Sequence, residues 1–356
     1  MGNFLVAGVA IVLVFLGSLL FKGDIKIGFV NPLSQKENME LKQKILDKKI
    51  FEENMDKIKG EVDTFADGLA SPYDTVVSSG YIVVDKSGKP EFVLNPDKKL
   101  PPASLTKLVS VMVALDLAEE GDLFEVEKES VGMEPTIIMV DEGERFSLNE
   151  LLEASLMTSA NDAADVLGRG VVKKLGGSLE VFVMLMNEKA RLLGLKNTQF
   201  RNPTGYDEDG QYSSPRDLAK IAHFALENYP KIKEIVGIRE ATIEENSFHK
   251  YYELPNWNGL LGVYPGIDGV KIGYTEDAGY VTIVTSARQK EEFMVVILGA
   301  PDRWARDNWA HLLLNSAFSA KGIQPFKVTR VMIKEERETE WNEQLQRAKE
   351  KTKPWK

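Results

Sequence analysis

The 356-residue chain contains no cysteine. That absence excludes disulfides, thiolate metal sites and a cysteine nucleophile, and it leaves the redox compartment undetermined. Histidine is scarce: His223, His249 and His311 are scattered, and no His-Glu-x-x-His occurs, so a zinc hydrolase is not expected. No cofactor or metal is expected. An excess of basic charge is missing as well. Lys and Arg total 44 against 54 Asp and Glu, a net charge of −10, which argues against a nucleic-acid-binding surface. No internal repeat or low-complexity block interrupts the chain. With 43% hydrophobic and 28% charged residues, it can bury a substantial core and is not disordered by composition.

One long apolar run is present. Phe4 to Phe21 is apolar or small throughout, with Ser18 its single hydroxyl. As a helix it would extend about 27 Å, close to the hydrocarbon thickness of a bilayer. No Lys or Arg precedes it and no small-x-small cleavage site is clear, so residues 1–22 are expected to be an uncleaved membrane anchor. Lys22 and Lys26 follow the run, and the positive-inside tendency does not favour export of what comes after. Residues 23–75 read as a charged, partly helical stalk, with Leu41, Ile45, Met55, Ile58 and Val62 at roughly helical spacing but no sustained heptad.

Regular folding is expected over residues 76–325, followed by a charged tail over 326–356 with one short strand-like piece after Val328. Ser-Gly-Tyr-Ile-Val-Val-Asp and Glu-Phe-Val-Leu-Asn read as paired strands around a Lys-Ser-Gly-Lys-Pro turn. Pro101-Pro102 stops extended chain, and a helix is predicted from about Ser104 to Glu120, ended by Gly121. Further helices are predicted over Leu148–Met157, Ala163–Leu175, Leu179–Leu193, Pro215–Asn228 and Arg303–Ala320. Strands are predicted over Gly269–Gly273, Gly279–Ala287 and Phe293–Gly299. Strands at both ends with helices between them imply one sheet assembled from distant segments, an α/β layered architecture.

The chemistry concentrates in three short segments. In Pro-Pro-Ala-Ser104-Leu-Thr-Lys107, residues three apart share a helix face, so the Lys107 amine can reach the Ser104 hydroxyl. A desolvated lysine of depressed pKa can take the serine proton, and a helix start offers N–H groups to a developing oxyanion. An N-cap serine followed by a surface lysine is the plainer account of so short a motif. Thr158-Ser159-Ala160-Asn161-Asp162 adds a second hydroxyl for proton relay and an amide able to grip a peptide group. Asp268-Gly-Val-Lys271-Ile-Gly273-Tyr-Thr275 adds a strand whose lysine can enter a cleft while Gly273 admits close backbone approach.

These segments, in this order, resemble the active-site serine enzymes acylated by penicillin, which carry Ser-x-x-Lys, Ser-Asp-Asn and Lys-Thr-Gly elements. Pro-Ala-Ser-Leu-Thr-Lys, Leu-Met-Thr-Ser-Ala-Asn-Asp-Ala-Ala, Phe-Arg-Asn-Pro-Thr-Gly-Tyr-Asp and Gly-Val-Lys-Ile-Gly-Tyr-Thr-Glu-Asp-Ala-Gly-Tyr look like the low-molecular-mass D-alanyl-D-alanine carboxypeptidases. The resemblance covers about residues 76–320. It implies a β-lactamase/transpeptidase-like fold: an antiparallel sheet flanked by helices, with a mostly helical subdomain. It further implies that Ser104 attacks the carbonyl between two D-alanines, Lys107 takes its proton and Ser159 relays that proton to the leaving group. Asn161 and Lys271 would hold the substrate, beside Gly273 and Thr275, and the N–H groups of Ser104 and Tyr274 would form the oxyanion hole. Arg306 matches by spacing an arginine that binds the terminal carboxylate, with Arg303 a close rival. The Asn202-Pro203-Thr204-Gly205 turn would shape the cleft floor.

The partners implied are peptidoglycan stem peptides ending in D-Ala-D-Ala and β-lactams as covalent inhibitors, with the membrane engaged through the N-terminal segment. Peptidoglycan lies outside, so the resemblance places the catalytic domain on the extracytoplasmic face. One departure stands out. The family's Lys-Thr-Gly is Lys271-Ile272-Gly273, and isoleucine cannot donate to a substrate carboxylate. That fits a D,D-endopeptidase acting on cross-links, or a slow enzyme. A class A β-lactamase is the next alternative, but no Glu-x-x-Leu-Asn lies between Asn161 and Lys271. A catalytically weak anchored binding protein is the alternative outside the enzymes.

Overall fold

The computed structural model describes residues 78–336 and residue 347. The expected anchor over 1–22 and stalk over 23–75 lie outside the described residues, as does most of the expected tail. Among the described residues no helix is long and apolar enough to cross a membrane.

A five-stranded antiparallel sheet forms the centre, in the order β2-β1-β9-β8-β7. Its strands are β1 (Gly80–Asp85), β2 (Pro90–Leu94), β7 (Ile267–Thr275), β8 (Gly279–Arg288) and β9 (Glu291–Ala300). The ends of the domain meet where β1 pairs with β9, Ile82 opposite Val296. Period-2 alternation sends side chains of these strands to two cores. Tyr81, Val83, Val295 and Ile297 face a cluster completed by Leu313, Leu314 and Phe318 of α7 (Arg303–Ala320). Ile82, Val84, Val296 and Leu298 face the larger helical layer. Burial on both faces explains why these strands read as nearly continuous apolar runs.

The helical layer is built on α1 (Lys107–Leu117), which is buried along its first eight residues, Lys107 included. Around it lie α2 (Leu148–Glu153), α3 (Asn161–Lys173), α4 (Leu179–Leu192), α5 (Pro215–Asn228) and α6 (Pro230–Val236). A partly buried polar triad ties three of them together: Lys189 of α4 pairs with Asp116 of α1, and both meet the Tyr229 hydroxyl at the end of α5. The strands β3 (Leu123–Glu125) and β4 (Arg145–Ser147) make one small hairpin ladder, and β5 (Glu240–Ile243) and β6 (Tyr252–Pro255) another. These four short strands and α6 carry too few residues for a clear periodic signal and were not expected from sequence.

Several boundaries differ from expectation for identifiable reasons. The first helix opens as a 3-10 turn, Ala103–Thr106, and becomes α-helical only at Lys107. It ends at Leu117, four residues before Gly121, because Ala118 is already extended. The second predicted helix is α2 followed by a π turn over Ala154–Thr158. A Ser147–Glu150 capping box starts it as the Ser-x-x-Glu spacing suggests. The strand-like piece after Val328 is helical over 330–336.

Gly205 is where backbone freedom matters most to this architecture. It has φ +84°, and a Cβ there would lie 1.9 Å from the Ala103 carbonyl oxygen and 2.9 Å from Thr106 Oγ1. Substituting Gly205→Ala therefore strains the backbone and drives the Asn202–Gly205 turn off the Ser104 turn. The expected cost is at least about 2 kcal/mol, a fall of roughly 4 °C or more in the thermal unfolding midpoint measured by circular dichroism.

Candidate active site

Three non-adjacent segments converge on Ser104. The 3-10 turn holding it is clamped from both sides: by Gly205 as above, and by β7, where a Cβ on Gly273 would lie 2.8 Å from the Ser104 backbone nitrogen. β7 is the edge strand of the sheet, so one row of its backbone groups faces the cleft without a strand partner. Ala103, just before the nucleophile, has φ +46°, a conformation uncommon for a residue with a Cβ.

Lys107 is completely buried, which removes the reading of an ordinary surface lysine. Its Nζ lies 3.0 Å from Ser104 Oγ, 2.7 Å from Asn161 Oδ1 and 2.7 Å from the Thr204 carbonyl oxygen. Burial lowers its pKa to about 7, opposed in part by the Asp162 carboxylate. A neutral amine has two protons and one lone pair. The amide oxygen and the carbonyl can only accept, so they take both protons, and the lone pair is left for the Ser104 hydroxyl. The three contacts thus fit a base poised to deprotonate the serine.

Ser159 follows the π turn and adopts φ +65°, with its hydroxyl buried and without a hydrogen-bond partner. A π turn ending in a left-handed serine is a costly local arrangement, of a kind that recurs at functional sites. An unsatisfied buried hydroxyl there is a group waiting for a partner. Asn161 starts α3. Its Oδ1 holds Lys107, and its Nδ2 donates to the Glu134 carbonyl at 2.8 Å. Sequence suggested Asn161 as a substrate ligand; its amide is first a fixed partner of the lysine, with one Nδ2 proton left to offer. Asp162 next to it pins the wall of the cleft. Its carboxylate accepts from the backbone N–H groups of Ile138, Met139 and Val140 at 2.8–3.3 Å.

Lys271 is buried, and its Nζ donates to the Ile272 carbonyl at 2.9 Å. Burial foremost, then repulsion from Lys107 and Arg306, holds its pKa well below the ordinary lysine value. Lys271, Gly273 and Thr275 share the buried face of β7, whereas Ile272 and Tyr274 point the other way. Tyr274 is half exposed, its ring 4.5 Å from that of Tyr280. Thr275 Oγ1 accepts from the Ala278 N–H and braces the turn into β8. Arg306 lies near Lys271 but is spent on Asp307, with Nε and Nη2 at 2.7 and 3.0 Å from that carboxylate. Arg303, the rival, is exposed at the start of α7.

Sequence reasoning missed the Thr204 and Glu134 carbonyls and the anchoring role of Asp162. Main-chain acceptors leave no residue-type signal, and Glu134 is 27 positions from the amide it holds. The Asn-Pro-Thr-Gly turn was legible as a structural element, and the Pro203 carbonyl does accept from Ser110 at 2.6 Å.

A base of pKa about 7 has a defined signature. Protonated Lys107 cannot accept the serine proton, so acylation of Ser104 by a fluorescent penicillin should rise with pH and level off above about 8. At pH 6 the rate is expected to be about a tenth of its plateau, measured by gel fluorescence in stopped time courses. Replacing Gly273 by Ala should slow the same labelling by about tenfold or more, since the added methyl displaces the Ser104 turn from β7.

Comparison with known proteins agrees with this geometry. The sequence profile for D-alanyl-D-alanine carboxypeptidase matches residues 68–302. D-alanyl-D-alanine carboxypeptidase DacF of Bacillus subtilis is 33% identical over 252 residues, covering 69% of this chain and 63% of that protein. A D-alanyl-D-alanine endopeptidase of Pseudomonas aeruginosa is 30% identical over 238 residues, covering 65% of this chain and 74% of that protein. Among solved structures, penicillin binding protein 5 of Haemophilus influenzae superposes with a TM-score of 0.63 at 28% identity, over 70% of this chain and 73% of that one. The β-lactamase/transpeptidase-like fold is therefore shared. The chain spans less than two thirds of the length of the Bacillus relative. With the family's motifs present and its profile matched over most of the described domain, the chain belongs to the D-alanyl-D-alanine carboxypeptidase family of serine peptidases.

Proposed function

We propose that this chain is a serine-type D-alanyl-D-alanine carboxypeptidase that trims peptidoglycan stem peptides through an acyl-enzyme on Ser104. The observation carrying this reading is the 3.0 Å contact between Ser104 Oγ and a fully buried, near-neutral Lys107 amine. In the first step Oγ attacks the carbonyl of the penultimate D-alanine as its proton passes to Lys107 Nζ. The N–H groups of Ser104 and Tyr274, at the 3-10 turn and on the edge strand, would receive the oxyanion. The C–N bond then breaks. Ser159, with its unpartnered hydroxyl, relays the proton to the departing D-alanine nitrogen. Lys271 offers an N–H of its buried Nζ to this relay, and the Asn161 amide proton left over positions the acyl chain. Water, deprotonated by Lys107, hydrolyses the ester and regenerates the serine.

The same nucleophile would open a β-lactam ring and be left as a stable ester, the ring-opened amine remaining tethered. Penicillin-Binding Protein D2 of Listeria monocytogenes, 25% identical with a TM-score of 0.59, has been solved in an ampicillin-bound form. Peptidoglycan chemistry requires the domain to face away from the cytoplasm. The apolar run over Phe4 to Phe21 suits a single anchor with the peptidase outside the membrane.

Ser104→Ala should abolish the penicillin adduct detected by intact-protein mass spectrometry, and Lys107→Ala should slow its formation about 10²- to 10⁴-fold. Release of D-alanine from a pentapeptide, followed by a coupled oxidase assay, should disappear in both variants. An unlabelled wild-type protein would leave the weak binding-protein reading in its place. Rapid loss of the adduct would favour a β-lactamase.

A further inference from the structure

Two charged residues of the C-terminal segment, Glu336 and Arg347, take no part in the chemistry at Ser104, yet both hold one corner of the domain. The Arg347 guanidinium reaches both strands of the β5–β6 ladder. Its Nη1 and Nη2 lie 3.2 and 2.9 Å from the Glu240 carboxylate, and Nη2 lies 3.4 Å from that of Glu253. Glu336 pairs with Arg239, the residue before Glu240. In the ladder Glu240 stands opposite Pro255, and the Asn256 N–H donates to the Arg239 carbonyl at 2.9 Å.

The same strip holds the turn before Ser159. Thr158 Oγ1 donates to the Pro255 carbonyl at 3.2 Å, and the Trp257 N–H donates to the Met157 carbonyl at 3.4 Å. Asn258 Nδ2 donates to the Gly269 carbonyl at 3.0 Å, tying the strip to the strand of Lys271. The Ser159 hydroxyl has no hydrogen bond of its own, so its place depends on the backbone that Thr158 anchors. A two-stranded ladder with four residues on each side is marginal alone. Carboxylates on its neighbouring strands repel, and one planar guanidinium engaging both turns that repulsion into a cross-strand tie. With Arg347 35% exposed, Glu240 31% and Glu253 15%, this is a partly buried, bidentate network and not an isolated surface pair.

We infer that Arg347 is a positioning residue for Ser159, holding the β5–β6 ladder against the turn that carries the relay hydroxyl. The inference rests on the Ser104 acyl-enzyme reading and gives the C-terminal segment a role in it. Loss of the tie lets Pro255 and Thr158 shift, and the Ser159 hydroxyl moves off the departing nitrogen. Ser104 and Lys107 belong to a different turn, so the attack itself is spared.

Leaving groups separate the two steps. An amine must take up a proton to depart, whereas a thiolate departs without one. A peptide ending in D-Ala-D-Ala and a thioester of the same acyl peptide are therefore compared with the purified full chain. Ser159→Ala sets the reference pattern, with amide turnover lost and thioester hydrolysis retained. Arg347→Ala should lower kcat/KM for the amide about fivefold or more and leave the thioester within about twofold, well inside the roughly hundredfold that a misplacement of about 1 Å can cost. Thr158→Val, which breaks the link at its other end, should give the same pattern. The double variant should fall no more than about twofold below the lower single, because both changes act through one segment. An amide rate that Arg347→Ala does not move, equal losses on both substrates, or losses that multiply in the double variant would overturn the inference. Penicillin labelling of Ser104 is measured alongside. A wild type with neither adduct nor turnover would sink the acyl-enzyme reading and the inference with it, whereas a labelled, active wild type indifferent to Arg347→Ala would sink the inference alone.

Discussion

Burying the Lys107 amine is the constraint around which the rest of the domain is arranged. An ammonium group out of water needs a counter-charge or must lose its proton, and no carboxylate hydrogen-bonds this one. Two acceptors from distant parts of the chain, Asn161 Oδ1 and the Thr204 carbonyl, hold it instead as a near-neutral amine. Each acceptor then needs its own support. Asn161 is fixed by the Glu134 carbonyl, and the Thr204 turn by Gly205 packed on Ala103 and by Ser110 bonded to Pro203. The helical layer is in this sense a frame for one nitrogen atom.

The sheet supplies the other half of the site. An edge strand is normally a hazard, and here its unpaired row borders the nucleophile. Gly273 lets β7 approach the Ser104 turn to a distance that any side chain would forbid. Ala103 beside the nucleophile and Ser159 with its unpartnered hydroxyl both adopt positive φ, a conformation that Asn95, Met139 and Gln289 also adopt elsewhere. Left-handed backbone held at two of the reacting segments fits a pre-organised site.

Electrostatics add a second layer of control. Lys271 feels the charge of both Lys107 and Arg306, and the cost of holding it protonated rises accordingly. Arg306 is paired with Asp307, while the lysines are pushed toward neutrality. A base that works near neutral pH follows from the burial of Lys107.

Much of this was legible in the linear chain. Pro215–Asn228 and Arg303–Ala320 coincide with α5 and α7 because each has a clear cap, Ser214 and Asp302, and a definite stop. The apolar runs in β1, β8 and β9 read as strands of one sheet, and the structure shows that sheet buried on both faces. Ser104, Lys107, Ser159 and Lys271 stood out because their chemistry depends on residue type and short spacing. What sequence could not provide was the distance between segments. Burial of Lys107, the main-chain acceptors at Thr204 and Glu134, the π turn before Ser159 and the capture of Arg306 by Asp307 all depend on packing. Residue identities set which atoms were available for proton transfer; only the tertiary fold decided which were dry, which were already engaged, and which were left for a substrate.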